Sequence, residues 1–318
     1  MPSLVTHELS DAVLASMRSA TDAEVMPRWR SLTADEVRTK AGPWDLVTDA
    51  DVLAERRLTA DLTAMLDIPV IGEEATAGNA SLLDLVAVSE ACWVVDPVDG
   101  TRNFVHGRED FACMVALIVA GRTEGAWITY PAVDREMHGA AGVGTFLDGV
   151  RATAPLPPDA GALRGALGAR AFVRDADAVY AAAGTVGPVR DIRFCAGWDY
   201  LDMVEGAKDY VLFTRTLPWD HAPGALIVRE AGGVVRHPDG RDYEVADTRA
   251  ASAVADANTP TSSSICPPAG SPSFTRRRTR GRSSANGVCE SGGTVCASRR
   301  RMTTNSAAAM PMRDSSVA

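Results

Sequence analysis

The stretch Trp93-Val-Val-Asp-Pro-Val-Asp-Gly-Thr-Arg-Asn-Phe104 restricts the fold more than any other part of the chain. Trp93, Val94 and Val95 form a β-favouring run, Pro97 removes a backbone donor and halts regular pairing, and Gly100 allows a tight turn. Asp96 and Asp99 are therefore expected at the C-terminal end of a strand. In an open α/β sheet ligands bind at that end, and two hard oxygen donors held close together suit Mg²⁺ better than a softer metal. Taken alone, the same residues also read as an ordinary turn with solvated acids.

Three more acidic clusters stand at the ends of expected elements. Ile68-Pro-Val-Ile-Gly-Glu-Glu closes an apolar run with Glu73 and Glu74, and Asp45-Leu-Val-Thr-Asp-Ala-Asp sets Asp49 and Asp51 before a helical segment. Leu217-Pro-Trp-Asp-His places Asp220 at a helix N-terminus. Gly72-Glu73-Glu74, the run from Asp96 to Thr101 with Asn103-Phe104, and Trp219-Asp220 followed by Glu230-Ala231-Gly232-Gly233 resemble the signatures of the inositol monophosphatase family. These are Mg²⁺-dependent, lithium-sensitive phosphomonoesterases related to fructose-1,6-bisphosphatases. The likeness runs from about residue 40 to about residue 235 in the family's order and spacing.

The resemblance implies an α/β fold built as a layered sandwich of alternating helices and sheets. It also implies a homodimer and two or three Mg²⁺ ions. Glu73, Asp96 and the Val98 carbonyl would hold one ion, and Asp96, Asp99 and Asp220 a second, with a weaker third near Glu73. Asp51 and Thr101 would orient and deprotonate the attacking water, with Glu73 in the same catalytic group. The N–H groups of Gly100 and Thr101 would cradle phosphate, and Lys40 matches a family lysine near it. Glu74 reads as support for those ligands, Asp45 and Asp49 as loop or helix-start acids, and His106 and His221 as structural. Where the family carries a polyol-binding Glu, this chain has Phe213, with Thr214 and Arg215 beside it; Trp198 and Asp199 would then line the pocket, Asp199 taking over hydroxyl binding.

The substrate expected on these grounds is a small phosphorylated metabolite, foremost myo-inositol monophosphate. Histidinol phosphate, a 3'-phosphoadenosine nucleotide and fructose 1,6-bisphosphate are alternatives. A different class of reading is a catalytically impaired metal-binding protein with a basic tail. A formal charge of −9 argues against general nucleic-acid binding, and the absence of a run of about 18 apolar residues or a signal pattern predicts a cytoplasmic protein off the membrane. Six cysteines without paired ligand spacing are expected as free thiols.

Apolar spacing predicts helices over 7–30 and Asp51 to Leu66, with a mobile loop from Ser31 to Trp44 between them. Strand-like runs continue to about 150, giving a first half over 1–150. A second half over 151–248 alternates strands (165–169, 191–195, 210–214) with helices (175–183, 200–205, 222–231). Residues 249–318, rich in Ser, Thr, Ala, Pro and Arg, are expected to be a disordered basic tail, altered by comparison with the family's closing strand and helix.

Overall fold

A computed structural model describes residues 4–40, 46–155, 162–168, 176–213, 215–237, 240–247 and 252–256. Asp45, Thr214 and residues 257–318 lie outside that set, and with them nearly all of the expected tail. The described residues belong to one compact unit.

The chain opens with α1 (His7–Ala20), capped by the Thr6 hydroxyl, and passes into a π-helical turn, Thr21–Val25, rather than continuing as one helix to residue 30. The expected loop from Ser31 is partly ordered: a 3₁₀ turn, Ala34–Glu36, leads into β1 (Val37–Thr39), which pairs antiparallel with β2 (Leu46–Thr48). Helix α2 (Asp49–Met65) follows, then β3 (Val70–Gly72), α3 (Glu73–Gly78), a 3₁₀ turn and α4 (Leu85–Val88). β4 (Ala91–Asp99) leads to α5 (Thr101–Val105), then β5 (Ala112–Val119), β6 (Arg122–Tyr130), β7 (Arg135–Ala140), β8 (Gly144–Leu147) and β9 (Val150–Ala152). Strands β3 to β9 lie in chain order in one seven-stranded sheet, antiparallel except for β3 beside β4.

The second sheet contains β10 (Gly165–Leu167), β11 (Val189–Asp191), β12 (Tyr210–Phe213), β13 (Gly233–Arg236) and β14 (Ser252–Asp256), in the order β11-β10-β12-β14-β13. Helices α6 (Ala176–Gly184), α7 (Ala196–Val204) and α8 (Pro218–Glu230) connect its strands. The strand expected at 191–195 lies earlier, and α7 and α8 begin earlier than the apolar spacing suggested, α8 on a proline at its first turn where no donor is lost. β14 corrects the expectation of an unstructured chain from 249. Ser-Ala-Val-Ala-Asp is too short and weakly apolar to declare itself, yet it fills the slot between β12 and β13 and pairs on both edges.

Burial sorts these elements into layers. On one face of the large sheet Trp93, Val95, Cys113, Val115 and Trp127 pack on Val13, Met17, Leu58 and Leu62 of α1 and α2. On the other, Val94, Met114, Ala116 and Ile128 share a core with Tyr200 and Leu201 of α7, Ala222 and Ile227 of α8, and Val211 and Val235 of the second sheet. Leu167, Leu212 and Ala183 form a third cluster with α6. The order is helices, sheet, helices, sheet, helix, as an α/β layered sandwich requires.

Contact in the middle layer is close. A β-carbon at Gly224 of α8 would lie 1.9 Å from the Tyr200 ring of α7. Gly224→Ala is expected to lower stability by about 1–3 kcal/mol through overpacking; an unchanged thermal midpoint would show that the two helices are not locked at this point.

Candidate active site

The two aspartates of the opening motif share a face because the strand is irregular. Asp96 pairs with Met114 and Asp99 with Ala112, so β4 advances three residues while β5 advances two. In a regular ladder residues three apart point to opposite faces. The bulge, with Pro97 inside it where a missing donor is tolerated, turns both acids toward α7 and α8. The strand therefore does not stop at Val95, as Pro97 had suggested, but runs on to Asp99. Gly100 follows at φ 84°, and a β-carbon there would lie 2.9 Å from Asp110 O and Cys195 Cβ, so the turn into α5 admits only glycine.

The remaining acids arrive from other elements. β3 pairs Gly72 with Val95, so Glu73 emerges beside Asp96. Asp51 sits in the first turn of α2: its Oδ2 accepts from the Thr48 N–H at 2.8 Å and hydroxyl at 2.5 Å, a reciprocal cap. The Thr101 hydroxyl lies 3.0 Å from both Asp51 Oδ1 and the Val98 carbonyl, and can donate to one at a time. Asp220 stands in the first turn of α8, with buried Trp219 beside it.

Asp51, Asp96 and Asp99 are buried, and their charges are felt within the cluster. Burial, then repulsion from Glu73, Asp99, Asp220 and Asp51, holds the Asp96 carboxyl well above the ordinary range. Burial and Asp220 push Asp99 up to about 7, against the Gly197 N–H that donates to its Oδ2 at 2.6 Å. Burial, with a further push from Glu73, lifts Asp51 to about 6. Burial raises Glu73, assisted by Asp220 and opposed by Lys40. Lys40 Nζ donates to Glu73 Oε1 and Glu74 Oε1, each at 2.7 Å; burial opposes its charge, but the two carboxylates outweigh it and raise its pKa.

By donor type, charge and burial this set fits a hard divalent cation, since several carboxylates raised by mutual repulsion gain most from one. No three His, Cys, Asp or Glu side chains among the described residues already stand in an ion-holding arrangement. Glu73, tied to Lys40, and Asp220 are each about one-fifth exposed, less enclosed than Asp51, Asp96 and Asp99.

Other expected residues fall elsewhere. Asp199 is a correction: its side chain is fully buried, ion-paired with Lys208 and within 3.3 Å of the Arg193 N–H, which leaves no face for a substrate hydroxyl. Its sequence gives no hint of Lys208 nine residues later closing over it. Phe213 is buried against Tyr200 and His221. Asp49 pairs with Arg38 at 2.6 Å, His106 contacts the Arg102 carbonyl, and His221 is buried, its pKa pushed down to about 3 by burial, and bonded to Tyr200.

Three supports were missed. Glu55 Oε2 and Oε1 accept the Glu74 and Ala75 N–H groups at 2.7 and 2.8 Å, fixing the turn that presents Glu73. The signal was present: Asp51 and Glu55 are acids four apart on the buried face of α2. Cys195 and Gly197, at the start of α7, both hold Asp99 Oδ2, the thiol at 3.1 Å. Cys92, Cys113 and Cys195 are buried free thiols.

A layered α/β sandwich with buried carboxylates at strand and helix ends defines the class of the molecule. The model of the inositol monophosphatase family matches residues 8–267. Inositol monophosphatase 1 of Solanum lycopersicum is 31% identical over 225 residues, 66% of this chain and 78% of its own length. A fructose-1,6-bisphosphatase/inositol-1-monophosphatase of Thermotoga maritima is 28% identical over 211 residues, 65% of this chain and 77% of its own. Among solved structures, an IMPase/NADP phosphatase complexed with Mg²⁺ and phosphate superposes with a TM-score of 0.69 at 18% identity, covering 81% of this chain and 94% of that one. The chain belongs to the inositol monophosphatase family and is a phosphoric monoester hydrolase.

Because the folded carboxyls take up protons that the unfolded chain has already released, stability in chelator falls as pH rises from about 4 through the raised folded values, about 6 for Asp51 and about 7 for Asp99. The thermal midpoint is expected to drop between about pH 5 and about pH 8, and Asp99→Asn to flatten the slope. Equal slopes in the two proteins would remove Asp99 from the raised set.

Proposed function

We propose that the chain is a Mg²⁺-dependent phosphomonoesterase acting on a small alcohol phosphate, with myo-inositol monophosphate as the reference substrate. The observation that carries this reading is the gathering of Asp51, Glu73, Asp96, Asp99 and Asp220 from four separate elements beside the Gly100–Thr101 turn. The names of the relatives supply the substrate class, and the solved neighbour of the same fold that holds Mg²⁺ and phosphate supplies the ion.

In this reading Glu73, Asp96 and the Val98 carbonyl would hold one ion, and Asp96, Asp99 and Asp220 another. When bound, the ions supply positive charge to the phosphate oxygens and lower the pKa of water. A phosphate monoester requires charge neutralisation and alignment more than covalent chemistry, so the protein's part is positioning. The Thr101 hydroxyl, within reach of both Asp51 and Val98, receives a proton from the attacking water as it passes its own to Asp51. Asp51 accepts it in its ionised form, which dominates above about pH 6. Thr48 fixes that carboxylate's other oxygen, so it cannot turn away. Gly100 bends the chain so that the N–H groups of Gly100 and Thr101 head α5 toward the ester oxygens. Lys40, which bridges Glu73 and Glu74, would have to release Glu73 for that carboxylate to serve as a ligand.

Asp96→Asn separates function from stability. Turnover of myo-inositol 1-phosphate with Mg²⁺ is expected to fall roughly a thousandfold. The chelated variant is expected to melt higher than wild type, because the most strongly repelled buried charge is gone. Turnover near the wild-type rate would refute the assignment.

A further inference from the structure

Among the described residues two cations touch the acid cluster, and they are held in different ways. Lys40 is 15% exposed and locked by two 2.7 Å bonds to Glu73 and Glu74. Arg215, between β12 and α8, has a half-exposed side chain whose Nη2 stands 3.8 Å from Asp220 Oδ2, beyond hydrogen-bond reach. Its positive charge extends to Glu73, whose carboxyl it pulls downward.

The main chain at Arg215 is anchored although its side chain is open. The buried His221 ring is hydrogen-bonded to the Arg215 backbone, and its Nδ1 meets the Tyr200 hydroxyl at 3.0 Å. Phe213, two residues earlier, is buried, whereas the Arg215 guanidinium is half-exposed beside Asp220. A guanidinium is a planar fork of donors suited to two oxygens of a phosphate or carboxylate, and it stays charged at any working pH. A wall made of buried phenyl and an anchored, outward guanidinium suits a negative group on the substrate better than a bare polyol.

Resting on the phosphatase reading above, we propose that Arg215 is a specificity-determining residue that binds a second anionic group of the substrate, so that the preferred substrates are small alcohol phosphates carrying another phosphate or a carboxylate. The guanidinium acts on binding and takes no part in bond cleavage. Its contribution appears in KM rather than in kcat.

The test compares phosphate release at the same carbon of one sugar with and without the second charge: fructose 1,6-bisphosphate, with release at carbon 1 followed, against fructose 1-phosphate, both with Mg²⁺. The full-length protein is expected to show a kcat/KM ratio favouring the bisphosphate by roughly tenfold or more, carried by KM. Arg215→Gln is expected to bring the ratio near unity, and Arg215→Lys to restore it in part. Arg151→Gln, a change on β9 of equal charge, is expected to leave the ratio as in wild type. If wild type treats both esters alike, or Arg215→Gln weakens both in parallel, the inference is overturned and the phosphatase reading stands. If neither ester nor any other monoester is hydrolysed, both fall.

Discussion

Like charges buried together are the constraint on which the rest of the structure turns. A carboxylate removed from water is costly, and several that feel one another are costlier still. Asp96 and Asp99 cannot escape, because the bulge in β4 points both into the layer between the sheet and the helices α7 and α8. The surrounding fold offsets part of the repulsion with the Lys40 ammonium, the Gly197 N–H, the Thr48 cap on Asp51 and the Arg215 charge. What they leave is an excess of negative charge that a divalent ion would relieve. On the proposed reading, instability without the ion and catalysis with it are two consequences of one arrangement.

The layered architecture makes that arrangement possible. Four elements deliver the five acids, and each is aimed by a local device: a helix cap for Asp51, a parallel register for Glu73, a bulge for Asp96 and Asp99, and a proline-started helix for Asp220. Glu55 and Cys195 then hold the delivered groups from behind. Such supports matter because a site misplaced by about 1 Å loses much of its effect.

Much of this was legible in the sequence. The acids could be named because each follows an apolar run or opens a helix, and the family likeness ordered them. The bulge was not legible: Pro97 read as an end of pairing, whereas the ladder skips one residue and resumes. Element boundaries in the second half slipped because Cys195-Ala-Gly-Trp and Pro218-Trp-Asp-His start helices with residues that do not advertise them. β14 was invisible because its sequence is short and weakly apolar, while its backbone pairs with β12 and β13 on either side. Asp199 was assigned to the substrate because a partner nine residues away, Lys208, cannot be seen in a linear reading.

On the proposed reading, acids far apart in the chain meet to hold divalent cations. Anomalous diffraction from crystals soaked in Mn²⁺ tests it most directly. A peak is expected bonded to Asp96 and shared with Glu73, Asp99 or Asp220. Well-diffracting soaked crystals without density beside Asp96, or with manganese bound only elsewhere, would contradict it.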